Sequence, residues 1–153
     1  MQISIIAVGR MGRGPESELM QTYLKRLPWK SRVVEVDIKK QAANSAERKA
    51  REAEKLLGAV PDGAVIIALD EGGKALTSRQ FAGHIDAWSG EGVQHIAFII
   101  GGADGLDETV RRKAMLKLAF GSLTWPHMLV RVLLAEQVYR AWSITSGHPY
   151  HRD

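Results

Sequence analysis

Between Phe120 and Asp153 the chain reads FGSLTWPHMLVRVLLAEQVYRAWSITSGHPYHRD, and the helix at its centre is apolar on too many sides to lie on a surface. Proline suits the first helical turn, where its missing N–H has no partner, and it biases Trp125 towards extended backbone. The helix is therefore expected to start abruptly near His127. Along it Met128, Leu129, Val130, Val132, Leu133, Leu134, Ala135, Val138, Tyr139, Ala141, Trp142 and Ile144 cover much more than one stripe. Such a helix needs cover on most sides. In a chain of 153 residues few elements can supply it. Either it is a central core helix, or a second copy of the chain completes the cover, as in a symmetric dimer.

The rest of the sequence alternates short β-like runs with longer helix-like ones. Ile3 to Val8 (ISIIAV) is a predicted strand, and a glycine-rich turn leads to a helix from Pro15 to Leu27, which Pro28 ends. Arg32 to Ile38 is a second strand, with Val34, Val36 and Ile38 on one face. Ser45 to Leu57 reads as an exposed helix, with Ser45 as N-cap and Gly58 as its stop. Ala64 to Leu69 and His95 to Ile100 are nearly continuous apolar runs, as expected of parallel strands buried on both faces. A helix over Ser78 to Trp88, capped by Thr77 or Ser78, lies between them. A helix around Glu108 to Ala114 and a brief strand near Lys117 to Phe120 follow. The order predicts an α/β layer fold with a mostly parallel sheet, as one domain over residues 1–153.

Composition constrains the partners loosely. Lys and Arg number 21 against 17 Asp and Glu, a net charge of +4, which suits a polyanionic partner and equally a plain basic surface. Cysteine is absent, so there is no disulfide and no thiolate metal ligand. No apolar run approaches bilayer length, and Ile3 to Val8 is too short for a secretory signal. A soluble, cytoplasmic protein without a membrane partner is expected.

In a parallel α/β sheet, ligands sit beyond the carboxyl ends of the strands, so the loops there carry the functional information. Val8 to Gly14 (VGRMGRG) joins a strand to a helix, and Glu35 or Asp37 lies at the end of the next strand. That imitates the NAD-binding unit of an oxidoreductase. Its glycines, however, are spaced G-x-x-G-x-G, the reverse of the G-x-G-x-x-G order in which each glycine has its own steric task. A flexible turn fits as well. Leu69 to Lys74 (LDEGGK) and Ile99 to Gly105 (IIGGADG) place adjacent glycines after apolar strands. With Gly121-Ser122 they make three permissive loops on one predicted edge, suited to a ligand's close approach or to tight turns. Lys74 does not complete a phosphate loop, because the glycine required at position 68 is Ala68.

The tail HPYHRD gathers His148, Tyr150, His151 and Arg152. Two histidines without a cysteine or a suitably spaced carboxylate make a poor metal site, so no metal is expected. Arginine beside aromatic rings is what binds unpaired nucleotides, through phosphate contact and stacking. An ordinary exposed terminus is the alternative.

LDEGGK, IIGGADGL and above all PH-x-LVRV-LL-AEQ-YRAWSI, closed by HPYH and one more basic residue, resemble the RlmH family of large-subunit ribosomal RNA pseudouridine N3-methyltransferases. That family is a minimal branch of the SPOUT, or α/β-knot, methyltransferases. The resemblance spans the entire chain, ISIIAVG included. It is least distinctive over residues 28–60, onto which nothing functional is transferred. It implies a three-layer α/β sandwich whose C-terminal segment is tied through a deep trefoil knot, in a homodimer. S-adenosylmethionine would bind in the knotted loops, at Leu69, at Gly101 or Gly102, and at Phe120, Gly121, Ser122, Leu123, Thr124 and Trp125. The implied reaction moves the sulfonium methyl group to N3 of a pseudouridine in the helix 69 loop, with ribosomal RNA or the ribosome as partner. His148 and Tyr150 are then the candidates to take the N3 proton, and Arg152 to stabilise developing negative charge. RNA contact falls to Arg10 and Arg13, with Arg131, Arg140 and His151 as further contacts. Arg131 and Arg140 could instead pair with Glu136, and His127 is as well placed for a structural hydrogen bond as for catalysis. A non-catalytic RNA-binding protein that keeps the knot is the remaining alternative to the enzyme.

Overall fold

The two most apolar runs of the chain end up side by side at the centre of its sheet. The structure is a computed structural model that describes residues 1–153. In chain order it contains β1 (Gln2–Val8), α1 (Pro15–Arg26), β2 (Lys30–Val36), α2 (Ser45–Gly58), β3 (Val65–Ala75), α3 (Ser78–Gly90), β4 (His95–Ile100), α4 (Glu108–Lys113), β5 (Leu116–Ala119) and α5 (His127–Ser146). The strands form one sheet in the order β2-β1-β4-β3-β5, with every pairing parallel. In β4, Ile96 to Ile100 are at most 3% exposed, which is why that run shows no polar alternation, and in β1 Ile3 to Ala7, Ser4 included, are at most 1% exposed. The edge strand β2 is only partly covered.

Several element ends differ from the sequence reading, each for a local reason. β2 starts at Lys30 and stops at Val36, leaving Ile38 outside. The cap of α2 is Asn44, not Ser45: its side chain accepts the Glu47 N–H at 2.8 Å, and the Glu47 carboxylate accepts the Ala43 N–H at 2.7 Å. Thr77 and Gln80 close a reciprocal capping box at the start of α3.

The largest departure is in β3, which does not end at Leu69. It shifts register beyond Leu69 and resumes at Lys74 and Ala75, beside Leu118 and Ala119 of β5. LDEGGK, expected as a loop, is therefore built into the sheet. Gly73 permits this, because a Cβ there would sit 2.6 Å from the Lys117 carbonyl carbon. Asp70 ties the irregular stretch down, accepting the Gly72 N–H at 2.8 Å and pairing with Arg111 at 3.0 Å.

Helices cover both faces of the sheet, giving three layers. α1, α3 and α5 share the larger core with Ile3, Ile5, Phe98 and Leu118, while α2 and α4 pack on Ile6, Ala68 and Ile99 across the sheet. α5 packs against both α1 and α3. Its Leu134 and Val138 are fully enclosed, each contributing about 1.5–3 kcal/mol by burial. Within one chain most of α5 is thus a central core helix. Trp125 and Leu129 at its start remain 40% exposed. No helix is long and apolar enough to cross a membrane.

The helix after β1 lies on one face of the sheet and the helix after β4 on the other. Neighbouring strands from which the chain departs in opposite directions leave a crevice at their carboxyl ends, the usual ligand position in open α/β sheets.

Candidate active site

That crevice is filled by protein. Arg131, wholly buried on α5, donates to the carbonyls of Val8 at 2.9 Å and Gly9 at 2.8 Å and to Glu35 Oε2 at 2.7 Å. Glu35 also accepts the Met11 N–H at 2.6 Å. Burial alone would raise the Glu35 pKa, but the Met11 N–H and the Arg131 guanidinium outweigh it and hold the carboxyl below its usual range. The acid that made VGRMGRG resemble a dinucleotide unit is consumed inside the fold, and the oxidoreductase reading fails there. Arg131 itself neither pairs with Glu136 nor faces solvent. An enclosed guanidinium has no access to RNA, so its expected RNA contact is corrected.

His127, one turn earlier on α5, adjoins Gly101. Burial and then the Arg131 charge lower its pKa, against a Gly101 backbone hydrogen bond that favours the charged form. Its Nε2 is buried without a protein partner.

Open space lies further along the edge, where β3, β5 and α5 meet. A cavity of about 300 Å³ is bounded by Leu76, Thr77, Ser78 and Phe81 at the β3–α3 junction, by Leu118 to Gly121 after β5, and by Trp125, Leu133 and Gln137. Its size is at the lower end of ligand pockets. The Trp125 indole N–H donates to the Phe120 carbonyl at 2.9 Å, closing a loop in which Gly121 takes a φ of +88°. Polar groups stand among the apolar walls: Ser78 Oγ donates to Gln137 Oε1 at 2.7 Å, and Gln137 Nε2 to Glu136 Oε2 at 2.7 Å.

Of the residues expected to bind the methyl donor, Phe120, Gly121 and Trp125 line this cavity. Ser122, Leu123 and Thr124 belong to the same loop but are exposed, and Leu69 packs against the larger core. Gly101 and Gly102 are not brought to the cavity wall. A Cβ on Gly101 would lie 2.8 Å from the Gly105 carbonyl oxygen, and one on Gly102 3.0 Å from the Glu52 carboxylate. The small size of Gly101 lets its own turn close on Gly105, and that of Gly102 leaves room for Glu52 and Val8. Glu52 is itself buried; burial raises its pKa, the Gly102 N–H partly offsets this, and Asp104 adds to the rise. Sequence reasoning missed Leu76, Thr77, Ser78, Phe81, Leu133 and Gln137. The one available signal was Gln137, a polar residue in an apolar helix.

The tail folds back on its own helix. Gly147 caps α5 with φ 72°, and the His148 N–H reaches the Ser143 carbonyl at 2.9 Å. Tyr150 meets Tyr139 edge-on at 4.7 Å and donates its hydroxyl to Glu136 Oε1 at 3.0 Å. Arg140 bonds the same carboxylate oxygen at 2.5 and 3.0 Å, lies 4.9 Å from the Tyr150 ring centre and contacts His151 Nδ1 at 3.1 Å. Arg140 therefore makes the Glu136 pair that was one of its two expected roles. Burial, then Tyr23 and Glu136, push the Tyr150 pKa strongly up. A phenol so held donates its proton to Glu136 within this chain. His148 and Arg152 are exposed, with His148 Nδ1 accepting the Tyr150 N–H at 3.2 Å. Asp153 pairs with Arg79 at the start of α3, next to the cavity residue Ser78. The hydrogen-bonded series Ser78, Gln137, Glu136, Tyr150 thus joins the cavity wall to the tail.

Arg10 and Arg13 are exposed in the β1–α1 loop, and Arg13 edges a wholly polar groove along α1 with Ser17, Gln21 and Lys25. No three His, Cys, Asp or Glu side chains converge as a metal site.

The chain matches a family described as "Predicted SPOUT methyltransferase" over residues 1–151. It is 52% identical over 152 residues to a protein of Rhodospirillum centenum named "Ribosomal RNA large subunit methyltransferase H", with 99% of each chain covered. Proteins of the same name from Paramagnetospirillum magneticum and Bradyrhizobium diazoefficiens are 50% and 47% identical, again over 99% of each chain. Among solved structures, a probable methylase family protein from Haemophilus influenzae Rd KW20 matches 99% of this chain and 70% of its own, with a TM-score of 0.56. At 11% identity that likeness bears on the fold alone.

Proposed function

This chain belongs to the SPOUT methyltransferase family, and we propose that it methylates large-subunit ribosomal RNA, carrying a methyl group from S-adenosylmethionine to N3 of a pseudouridine in the helix 69 loop. The observation that carries this reading is the cavity between β3, β5 and α5. Its residues fit the donor: Phe120, Trp125, Leu76 and Leu133 offer faces for a purine, and Thr77, Ser78 and Gln137 offer hydroxyl and amide groups for its polar edge. S-adenosylmethionine, when bound, supplies a methyl carbon activated by its sulfonium. The chain has then to align the reactants and manage one proton.

Transfer of that methyl group to N3 would require the N3 proton to pass to an acceptor on the protein. Tyr150 is held as a donor, which leaves the exposed His148 imidazole for that task once its contact with the Tyr150 N–H opens. Arg152, exposed and without an ion pair, stabilises the developing imide anion. Arg10, Arg13 and the polar groove beside α1 supply RNA contacts. The same reading includes a homodimer and a C-terminal segment threaded as a deep trefoil knot. The dimer is supported by Leu123, Trp125 and Leu129, which leave apolar surface uncovered around the start of α5.

The test incubates purified protein and labelled donor with ribosomes from a strain lacking the modification, then maps labelled nucleosides by mass spectrometry. Label on N3 of one pseudouridine in helix 69 supports the reading. Label on another base, or no turnover, refutes it, the second outcome favouring a non-catalytic RNA-binding protein.

A further inference from the structure

We propose that Arg131 and Glu35 are positioning residues for the RNA: together they hold the Gly9–Gly14 loop in the shape that presents Arg10 and Arg13 to phosphate. This rests on the methyltransferase reading above and adds to it a device for substrate recognition. The loop has little reason to be ordered by itself. Gly9 and Gly12 sit at φ +87° and +69°, and fixing a residue's backbone costs about 1–2 kcal/mol. Few bonds offset that cost. The Gly9 N–H reaches the Val36 carbonyl at 2.8 Å, the Val8 and Gly9 carbonyls take Arg131 at 2.9 and 2.8 Å, and the Met11 N–H takes Glu35 at 2.6 Å. The next backbone bond, from Glu18 N–H to the Gly14 carbonyl at 3.0 Å, already belongs to α1. Beyond Gly9 the loop's one hydrogen bond is therefore to the carboxylate that Arg131 holds at 2.7 Å, beside the packing of the Met11 side chain on the core.

The pair is asymmetric. Arg131 is wholly enclosed, whereas the Glu35 side chain is 33% exposed. A buried guanidinium without its partner is costly, so the carboxylate is held firmly, and the loop with it. Arg10 and Arg13 flank the Met11 anchor and make no ion pair within the chain. Cations fixed before binding forgo the ordering cost that a mobile loop incurs on contact with phosphate. Neither Arg131 nor Glu35 lines the donor cavity, so donor affinity should not depend on the pair.

The experiment compares the parent protein with Glu35→Gln, with an Arg10→Ala, Arg13→Ala variant, and with the combination of all three. Expected for Glu35→Gln is a KM for ribosomal substrate raised about tenfold, with kcat changed less than about threefold. The calorimetric Kd for S-adenosylmethionine should move less than about twofold, and the Met11 amide should exchange faster with deuterium. Because Glu35 acts through the two arginines, the combined variant should match the Arg10, Arg13 variant and show no additive loss. An unchanged KM, fully additive losses, or an unchanged Met11 exchange rate overturns the inference while the parent's methyl transfer stands. A parent that transfers no methyl group overturns the reading beneath it.

Discussion

Replacing Tyr150 with phenylalanine distinguishes a proton acceptor from a hydrogen-bond donor. The change deletes one oxygen and leaves the ring against Tyr139 and within 4.9 Å of the Arg140 guanidinium, so the losses are the 3.0 Å bond to Glu136 Oε1 and the longer 3.5 Å contact with the Tyr23 hydroxyl. A hydrogen bond to a charged acceptor contributes about 1.5–3 kcal/mol. Glu136 keeps its Arg140 and Gln137 donors, and the cluster is partly open to water. The expected cost is therefore about 1 kcal/mol, taken from the docking of the tail. Since about 1.4 kcal/mol is tenfold in rate, single-turnover methyl transfer should fall by no more than about tenfold. A positioned general base contributes about 10²–10⁴-fold. The two roles therefore predict separable results. Burial, Tyr23 and Glu136 raise the Tyr150 pKa, so the phenol is protonated throughout neutral pH and the pH–rate profile of Tyr150→Phe should retain the parent's shape. A loss beyond about 10³-fold, or the disappearance of a limb of that profile, would refute the donor role.

Three further outcomes follow from the same geometry. The Glu52 pKa is raised, so its contribution is fully present below the unfolded value of 4.5 and is lost as pH rises through the folded value. Glu52→Gln, neutral at every pH, should therefore resist urea better than the parent at neutral pH and gain least in acid, and a destabilised variant at neutral pH would contradict this. Trp125→Ala removes a cavity wall and the 2.9 Å bond to the Phe120 carbonyl, and calorimetry should show donor affinity weakened about tenfold or more; unchanged affinity would place the donor elsewhere. Gly73→Ala sets a Cβ 2.6 Å from the Lys117 backbone, so the urea midpoint should fall by the equivalent of about 1–3 kcal/mol, and a neutral result would mean that β3 and β5 separate freely there.

Much of the layer order was legible because it is written in short-range patterns. Nearly continuous apolar runs mark β3 and β4 as buried parallel strands, and Pro126 marks the start of α5 within one residue. Capping chemistry was legible only in part. Asn44, a residue before the expected Ser45, has the carboxamide that reaches the Glu47 N–H. The glycine pairs were legible only as close approaches, because a missing side chain says that something is near without saying what. At Gly73 it is the β5 backbone, at Gly101 it is Gly105, and at Gly102 it is Glu52.

The order of strands and helices, the deep burial of α5 and the family likeness all come from residues read along the chain, since each depends on neighbours within a turn or a strand. The partner of Arg131 was beyond that reach, because Glu35 lies 96 positions away and meets it only once α5 crosses the end of β1. The same holds for the cavity, whose walls come from three separated segments, and for Tyr150, which became a donor only when Glu136 and Tyr23 closed around its hydroxyl. Side-chain chemistry is local to each residue, but the groups that protonate, pair or enclose it are chosen by the path of the whole chain.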